Sequence, residues 1–517
     1  MTMISRVTGL AREIMIAALL GSGPVAQAFF VAFRFPNMFR RFFAEGAFNM
    51  AFVPMFARTL EGDGKAEARN FAEEVMSGLL FVLILFTALA QLAMPWIILV
   101  IAYGFNDDPD KLRLATIYAQ IQFPYLMFMS LMALFSGVLN GFHRFAAAAG
   151  APILLNLTMI AGMALAAAAG GEIGLWLSWS VFLGGVAQLL LVARAASRLG
   201  MSLSLRLPRW TPRLSRLVQL GVPGAIAGGV TQLNILIGTT IATFFDGAVV
   251  WLTLADRVYQ LPLGVIGIGI GVALLPELAR RARAGEAEEA SLALCRAVEL
   301  SLFLTIPAAA ALLVIPHEIV GILFGRGAFT ENDVRLTALA LTIFAVGLPA
   351  YVLIKALSPA FFAVEDTRTP LRYAAVSMVV NIAISIALSF VIGWLAVPVG
   401  TAIAAYVNAV LLWREIGARG GPNLLAETGG RILRAAAASA LMAGLVFAAA
   451  HYGAEYSAHP WLRYPFVLGL VALGVAVYAV AAFTVGAVRR SDLAMLRAGD
   501  GRADPRDPAV AQPGSDP

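Results

Sequence analysis

The sequence predicts an all-α polytopic membrane protein with about 14 transmembrane helices, and three observations carry that reading. The 517 residues are 60% hydrophobic and only 13% charged, with a mean hydropathy of +0.82. A water-soluble surface needs roughly a quarter charged residues, so most of this surface must face lipid. The apolar residues also gather into runs of the length that crosses a bilayer, about 20 residues or more. Finally, the basic residues sit mostly at the ends of those runs, in alternate gaps. A net charge of +6 and a pI near 9.6 therefore reflect the positive-inside bias of a membrane protein. They do not indicate a nucleic-acid partner.

In chain order the runs are 1–20, 25–58, 71–103, 113–141, 147–169, 173–198 and 213–244, then 248–278, 291–324, 333–362, 371–394, 396–417, 430–452 and 462–488. Several exceed the bilayer thickness and should tilt or protrude. Pro36, Pro124, Pro262 and Pro349 fall inside runs and predict kinks. Arg6 and Arg12, then Ile14 to Leu20, then Ala26-Gln27-Ala28, have some features of a cleavable signal. Its apolar stretch is short, Glu13 abuts it, and another span follows, which favours a retained helix.

Loop charges set the expected topology. Arg58, Lys65 and Arg69 share one side with Arg144, with Arg194 to Arg213, and with Arg280, Arg281 and Arg283. Arg368, Arg372, Arg414, Arg419, Arg431 and Arg434 continue the same side, whereas Asn106-Asp107-Asp108-Pro109-Asp110 lies opposite. Both termini are then cytoplasmic.

An internal duplication organises the chain. Ala51-Phe52-Val53-Pro54-Met55-Phe56-Ala57-Arg58 returns about 222 residues later as Ala273-Leu274-Leu275-Pro276-Glu277-Leu278-Ala279-Arg280. Leu112-Arg113-Leu114 is echoed by Val334-Arg335-Leu336, Pro124 by Pro349 and Asn156 by Asn381. Six helices per unit is an even number, so the two units point the same way and form two parallel six-helix bundles related by pseudo-twofold symmetry. The expected divisions are 1–199, a cytoplasmic linker at 200–212, 213–419, two extra C-terminal helices within 420–488, and a disordered cytoplasmic tail at 489–517.

An ionisable residue at mid-membrane costs about 2.5–3.5 kcal/mol and needs a reason to be there. Arg6 and Arg12 lie on the first run, Arg34, Arg40 and Arg41 on the second, and Arg257 on the eighth. Arginine stays charged and presents a planar fork that suits phosphate oxygens. Plainer readings stand beside this one. Arg41 and Glu45, four apart, fit a structural pair. Arg34 can snorkel to an interface and Arg6 can sit at the inner surface. Asp256 is poorly placed to pair with Arg257. Periodicity leaves these alternatives open.

The motifs then become specific. Arg6-Val7-Thr8-Gly9-Leu10-Ala11-Arg12-Glu13, Ala28-Phe29-Phe30-Val31-Ala32-Phe33-Arg34-Phe35-Pro36-Asn37 and Arg40-Arg41-Phe42-Phe43-Ala44-Glu45-Gly46-Ala47-Phe48 follow one another, and Ala51-Phe52-Val53-Pro54 comes next. Together with Ala255-Asp256-Arg257-Val258-Tyr259-Gln260-Leu261-Pro262-Leu263-Gly264-Val265, they resemble the MurJ/MviN family of lipid II flippases, over all but the tail. The resemblance implies a fourteen-helix exporter of the superfamily that includes drug extruders and polysaccharide flippases. It implies movement of undecaprenyl-diphosphate-linked disaccharide-pentapeptide between leaflets by alternating access, in the bacterial cytoplasmic membrane. It further implies that Arg6, Arg12 and Arg257 hold the diphosphate, that Arg40 is functionally important, and that helices thirteen and fourteen form a groove for the polyprenyl tail. Family members begin further upstream, so a start before Met1 is expected.

Two positions depart from the pattern. Gln27 and Gln260 stand where relatives can carry acids, so an outer gate of acid–arginine pairs gives way to uncharged hydrogen bonds involving these residues. Arg34, Glu45 and Asp256 complete the expected gating set.

The sequence holds no GxxxxGK[ST] loop, so coupling to membrane potential or to a cation is expected instead of ATP. Asn234, Asn381 and Thr401 are the polar residues offered by the seventh, eleventh and twelfth helices. No cofactor or metal is expected, since four scattered histidines and the single Cys295 form no ligand set. The expected partners are lipid II, membrane lipids and the cell-wall synthesis and division machinery. A drug/cation antiporter would want cavity acids, and a lipid-linked glycosyltransferase would want an acid cluster or an extramembrane domain. Asp107, Asp108 and Asp110 fit a solvated turn better than a metal site.

Overall fold

The computed structural model describes residues 2–40, 47–459 and 461–486. Within them the regular structure is helical, as lipid demands of a backbone that must satisfy its own N–H and C=O groups. The expected tail at 489–517, Arg41 and Glu45 lie outside the described residues.

The first half contains α1 (Thr2–Leu20), α2 (Pro24–Arg40), α3 (Ala47–Gly62), α4 (Gly64–Ile101), α5 (Pro109–Gln122), α6 (Tyr125–Gly141), α7 (Ala146–Ala169) and α8 (Ile173–Arg198). The second contains α9 (Pro212–Thr243), α10 (Ala248–Pro262), α11 (Ile268–Ala284), α12 (Ala287–Val314), α13 (Pro316–Phe324), α14 (Glu331–Phe362), α15 (Arg368–Ile392) and α16 (Ala396–Ala418). Then come α17 (Leu424–Tyr452), α18 (Ala454–Ala458) and α19 (Arg463–Thr484). Ten stretches among the described residues are long and apolar enough to cross a membrane, and one of them, Arg368–Ala418, holds both α15 and α16. Each of the fourteen runs coincides with one or two of these helices, which makes this a multi-pass membrane protein.

Proline acts differently at the four expected kinks. Pro124 sits at the joint between α5 and α6, and Pro262 ends α10 and leads into a π-helical turn, Leu263–Gly267. Pro36 and Pro349 lie inside α2 and α14 without ending either helix. Helix starts are set by side-chain oxygens that take the free N–H groups of the first turn. Asp108 accepts from the Lys111 N–H at 3.0 Å, with Pro109 in the first turn of α5. That contact makes the acidic loop a cap. Thr330 and Asp333 form a reciprocal capping box at the start of α14.

The duplication is visible in the packing. In the first bundle α7 lies on α1 and on α8; in the second α15 lies on α9 and on α16. Asn156 on α7 donates to the Ser5 carbonyl and the Thr8 hydroxyl, both at 3.1 Å, and so pins α1. Asn381 on α15 donates to Asn234 on α9 at 2.8 Å. Close helix approach relies on glycine in both copies: a methyl at Gly184 would strike Thr158 and Leu155, and one at Gly400 would strike Ser385 and Asn381. The two helices outside the repeat pack on the second bundle. The Tyr478 hydroxyl donates to the Phe303 carbonyl at 2.6 Å, and Arg431 pairs with Glu299 at 2.6 Å.

At the end of the molecule away from the N-terminus, the bundles meet. The Ala328 N–H donates to the Ala18 carbonyl at 2.7 Å, and the Ser22 hydroxyl donates to Asp333 at 2.6 Å. Thr240 donates to the Ile101 carbonyl at 2.8 Å, and buried Lys111 pairs with exposed Asp246 at 2.5 Å. Asp333 also accepts from the Trp251 indole at 2.8 Å. Asp333→Ala removes a cap and leaves buried donors unpaired, so it should cost about 2–4 kcal/mol. Thermal unfolding in detergent should show a lowered midpoint, with Asp333→Asn in between; an unmoved midpoint would refute the role given to these bonds.

Candidate functional site

The middle of α1 carries the charged centre. Arg12 and its neighbour Glu13 are 6% and 1% exposed, which inside a membrane is tolerable only with partners. Arg12 donates to Asn156 Oδ1 at 2.9 Å and to the Glu13 carboxylate, and its guanidinium lies 5.9 Å from the centre of the Phe33 ring. From the other bundle, Arg257 Nε reaches the same Glu13 oxygen at 3.3 Å. One buried carboxylate on α1 thus joins an arginine of its own helix to an arginine of α10.

Arg6 also crosses the seam. Its guanidinium rests on Gly264 in the π-helical turn, where an added methyl would stand 2.8 Å from Nη1. Arg34 does not snorkel. It donates to the Thr239 hydroxyl and, at 2.9 Å, to Thr253, bonding α2 to α9 and α10. Gln260 donates to Asp256 one turn away, and both line the cavity beside Arg257, away from the distal contact. Gln27 donates to the Ser22 carbonyl at 3.0 Å, one bond removed from that contact. The distal closure therefore does contain a charged pair, but Lys111 and Asp246 supply it. Arg40 is the last residue of α2.

Two adjoining chambers occupy the seam. The first, about 520 Å³, is lined by Arg12, Arg34, Arg257 and Lys355 against Glu13 and Asp256. Asn234, Asn381, Ser385 and Thr401 form its uncharged wall, bonded to one another. The second, about 540 Å³, is lined by Arg6, Arg12, Arg257 and Lys355, with no carboxylate among its described lining residues. Arg12, Arg257 and Lys355 border both chambers. The arrangement suits a multivalent anion, because guanidinium forks and an ammonium with little competing water bind oxyanions strongly.

Reasoning from sequence singled out Arg6, Arg12 and Arg257, and the structure brings them to one seam. It missed Glu13 as their shared partner and Lys355 altogether. The rule that found the arginines applies to both, since each is an ionisable residue inside an apolar run.

A charged cavity at the seam of two repeated helical bundles defines a multi-pass membrane transporter. The profile of the family described as lipid II flippase MurJ matches residues 16–472, and the chain belongs to that family. A protein of Rhizobium tropici named probable lipid II flippase MurJ is 49% identical over 423 residues, 81% of this chain and 79% of its own. One of Rhizobium meliloti (strain 1021) with the same name is 46% identical over 514 residues, 96% of this chain and 94% of its own. The solved structure of a lipid II flippase MurJ in an inward closed conformation superposes with a TM-score of 0.78 at 22% identity, covering 93% of this chain and 96% of that one. An inward-facing multidrug resistance MATE transporter of the MOP superfamily follows at 0.68 and 16% identity, covering 80% and 95%, so the two share a fold.

Because the atom that a larger residue at Gly264 would meet is the tip of a long side chain, the fold should survive substitution there. Gly264→Val is expected to expel Arg6 and lower affinity for inorganic pyrophosphate roughly 10-fold, with an unchanged melting midpoint. Isothermal titration in detergent would check this, and undiminished binding would remove Arg6 from the site.

Proposed function

We propose that this chain is a lipid II flippase, moving undecaprenyl-diphosphate-disaccharide-pentapeptide from the inner to the outer leaflet for peptidoglycan synthesis. The observation that carries the reading is the excess of basic over acidic side chains in a cavity walled by both bundles. A cationic drug would meet repulsion there, so the MATE fold is shared without the MATE substrate. Arg6, Arg12 and Arg257, joined by Lys355, hold the diphosphate, while the polyprenyl tail stays in lipid, beside α17 and α19.

Units at 1–199 and 213–419, linked by 200–212, rock about the seam. The protein sits in the bacterial cytoplasmic membrane with both termini inside. The distal contact, from Ala18–Ala328 to Lys111–Asp246, is then the outer closure, and it opens on release. Arg34, Asp256, Gln27 and Gln260 lie on the moving surfaces, and we extend the gating role to Arg40 and Glu45. The protein carries out no chemistry and needs no cofactor. We assign the driving force to membrane potential acting on the cationic cavity, since the polar wall at Asn234, Asn381 and Thr401 carries no charge. Wall-synthesis and division proteins are the expected neighbours.

Complementation of a flippase-depleted bacterium tests the reading. The parent chain should restore growth, and Arg12→Ala and Arg257→Ala, at equal expression, should each cost roughly 10- to 100-fold in transport and lose rescue. A well-expressed parent that fails to rescue would overturn it.

A further inference from the structure

The second chamber carries a feature that anion binding does not use. From the shared cations it extends among α1, α6, α7 and α8, bordered by Gly9, Tyr125, Asn156 and Gln188. Gln188 is 1% exposed. Its Nε2 donates to the Ala151 carbonyl at 2.9 Å, which fixes the orientation of the amide, since a flipped group would set oxygen against oxygen. Its Oε1 is buried and has no donor. Buried side-chain acceptors are nearly always paired, so an unpaired one on a cavity wall points to a ligand. Room exists on the same chamber's wall: a methyl at Gly9 would meet only Asn156 Nδ2, at an ordinary 3.6 Å. On the first chamber's wall, by contrast, Asn234, Asn381, Ser385 and Thr401 bond one another.

The geometry points to a sugar subsite in this second chamber, with Gln188 Oε1 accepting from an N–H or O–H of the saccharide attached to the diphosphate. This rests on the proposed lipid II reading. The cations shared by the two chambers hold the diphosphate, so the group bonded directly to it must enter an adjoining chamber. The first sugar meets that condition; the pentapeptide, one residue further out, is the other source of similar donors. Gln188 is thus a specificity residue that distinguishes a glycosylated diphosphate from a bare one.

The test uses the full chain in detergent with three ligands: undecaprenyl diphosphate, its disaccharide derivative without peptide, and the derivative with pentapeptide. Wild type should bind both sugar-bearing ligands more tightly than the bare diphosphate. Gln188→Met, and Gly9→Leu to fill the chamber, should each weaken both sugar-bearing ligands by roughly 3- to 10-fold and leave the bare diphosphate unmoved. Unchanged affinity for the disaccharide ligand, or a loss only when peptide is present, overturns the subsite. Equal losses for all three ligands would reduce Gln188 to a structural tie between α8 and α7, and would overturn it as well. Failure of wild type to bind any of the three would instead sink the lipid II reading itself, together with the subsite.

Discussion

Glu13 sits between Arg12 and Arg257, and through that shared carboxylate the two bundles touch at the level of the cavity. Two arginines at a membrane seam would repel each other and drift toward water; a buried counter-charge holds them in place and aimed at one space. The rest of the site depends on this. Asn156 fixes Arg12 from α7, Phe33 covers it, and Lys355 adds positive charge from α14. Under the proposed function, an incoming diphosphate would compete with Glu13 for the same guanidinium groups, so binding and loosening of the seam would draw on the same bonds.

The cavity, not the fold, is where the character of this chain is read. A two-bundle exporter architecture serves MATE transporters and lipid flippases alike. In this chain the lining carries more basic than acidic side chains. Arg34 is held in it by the hydroxyls of Thr239 and Thr253, which tie α2 to α9 and α10.

Much of this was legible in the sequence because lipid imposes simple rules. Run lengths and basic gaps gave the helices, and the echo of Asn156 in Asn381 gave the repeat, which the structure explains: each amide ties the first helix of its own bundle. The arginines were legible because charge is rare in apolar runs. Three things were not. Glu13 reads as the flank of a short run until its distance to Arg257, 244 positions away, is known. Gln188 is neutral and carries no periodic signal. The distal pair could not be placed from Gln27 and Gln260, because Lys111 at the start of α5 and Asp246 in the turn after α9 approach only as the bundles dock. Of the four prolines picked out in the sequence, Pro124 and Pro262 fall where one helix gives way to the next, while Pro36 and Pro349 are carried within their helices.

The distal contact mixes two kinds of bond. Backbone groups, hydroxyls, the Asp333 carboxylate and one ion pair make its polar part. One buried apolar cluster runs across the same seam, from Ile16 and Ala17 of α1 to Trp251, Phe324 and Phe329. The two parts answer to different conditions: salt screens the Lys111–Asp246 pair, whose acid is 87% exposed, whereas cooling weakens the apolar part.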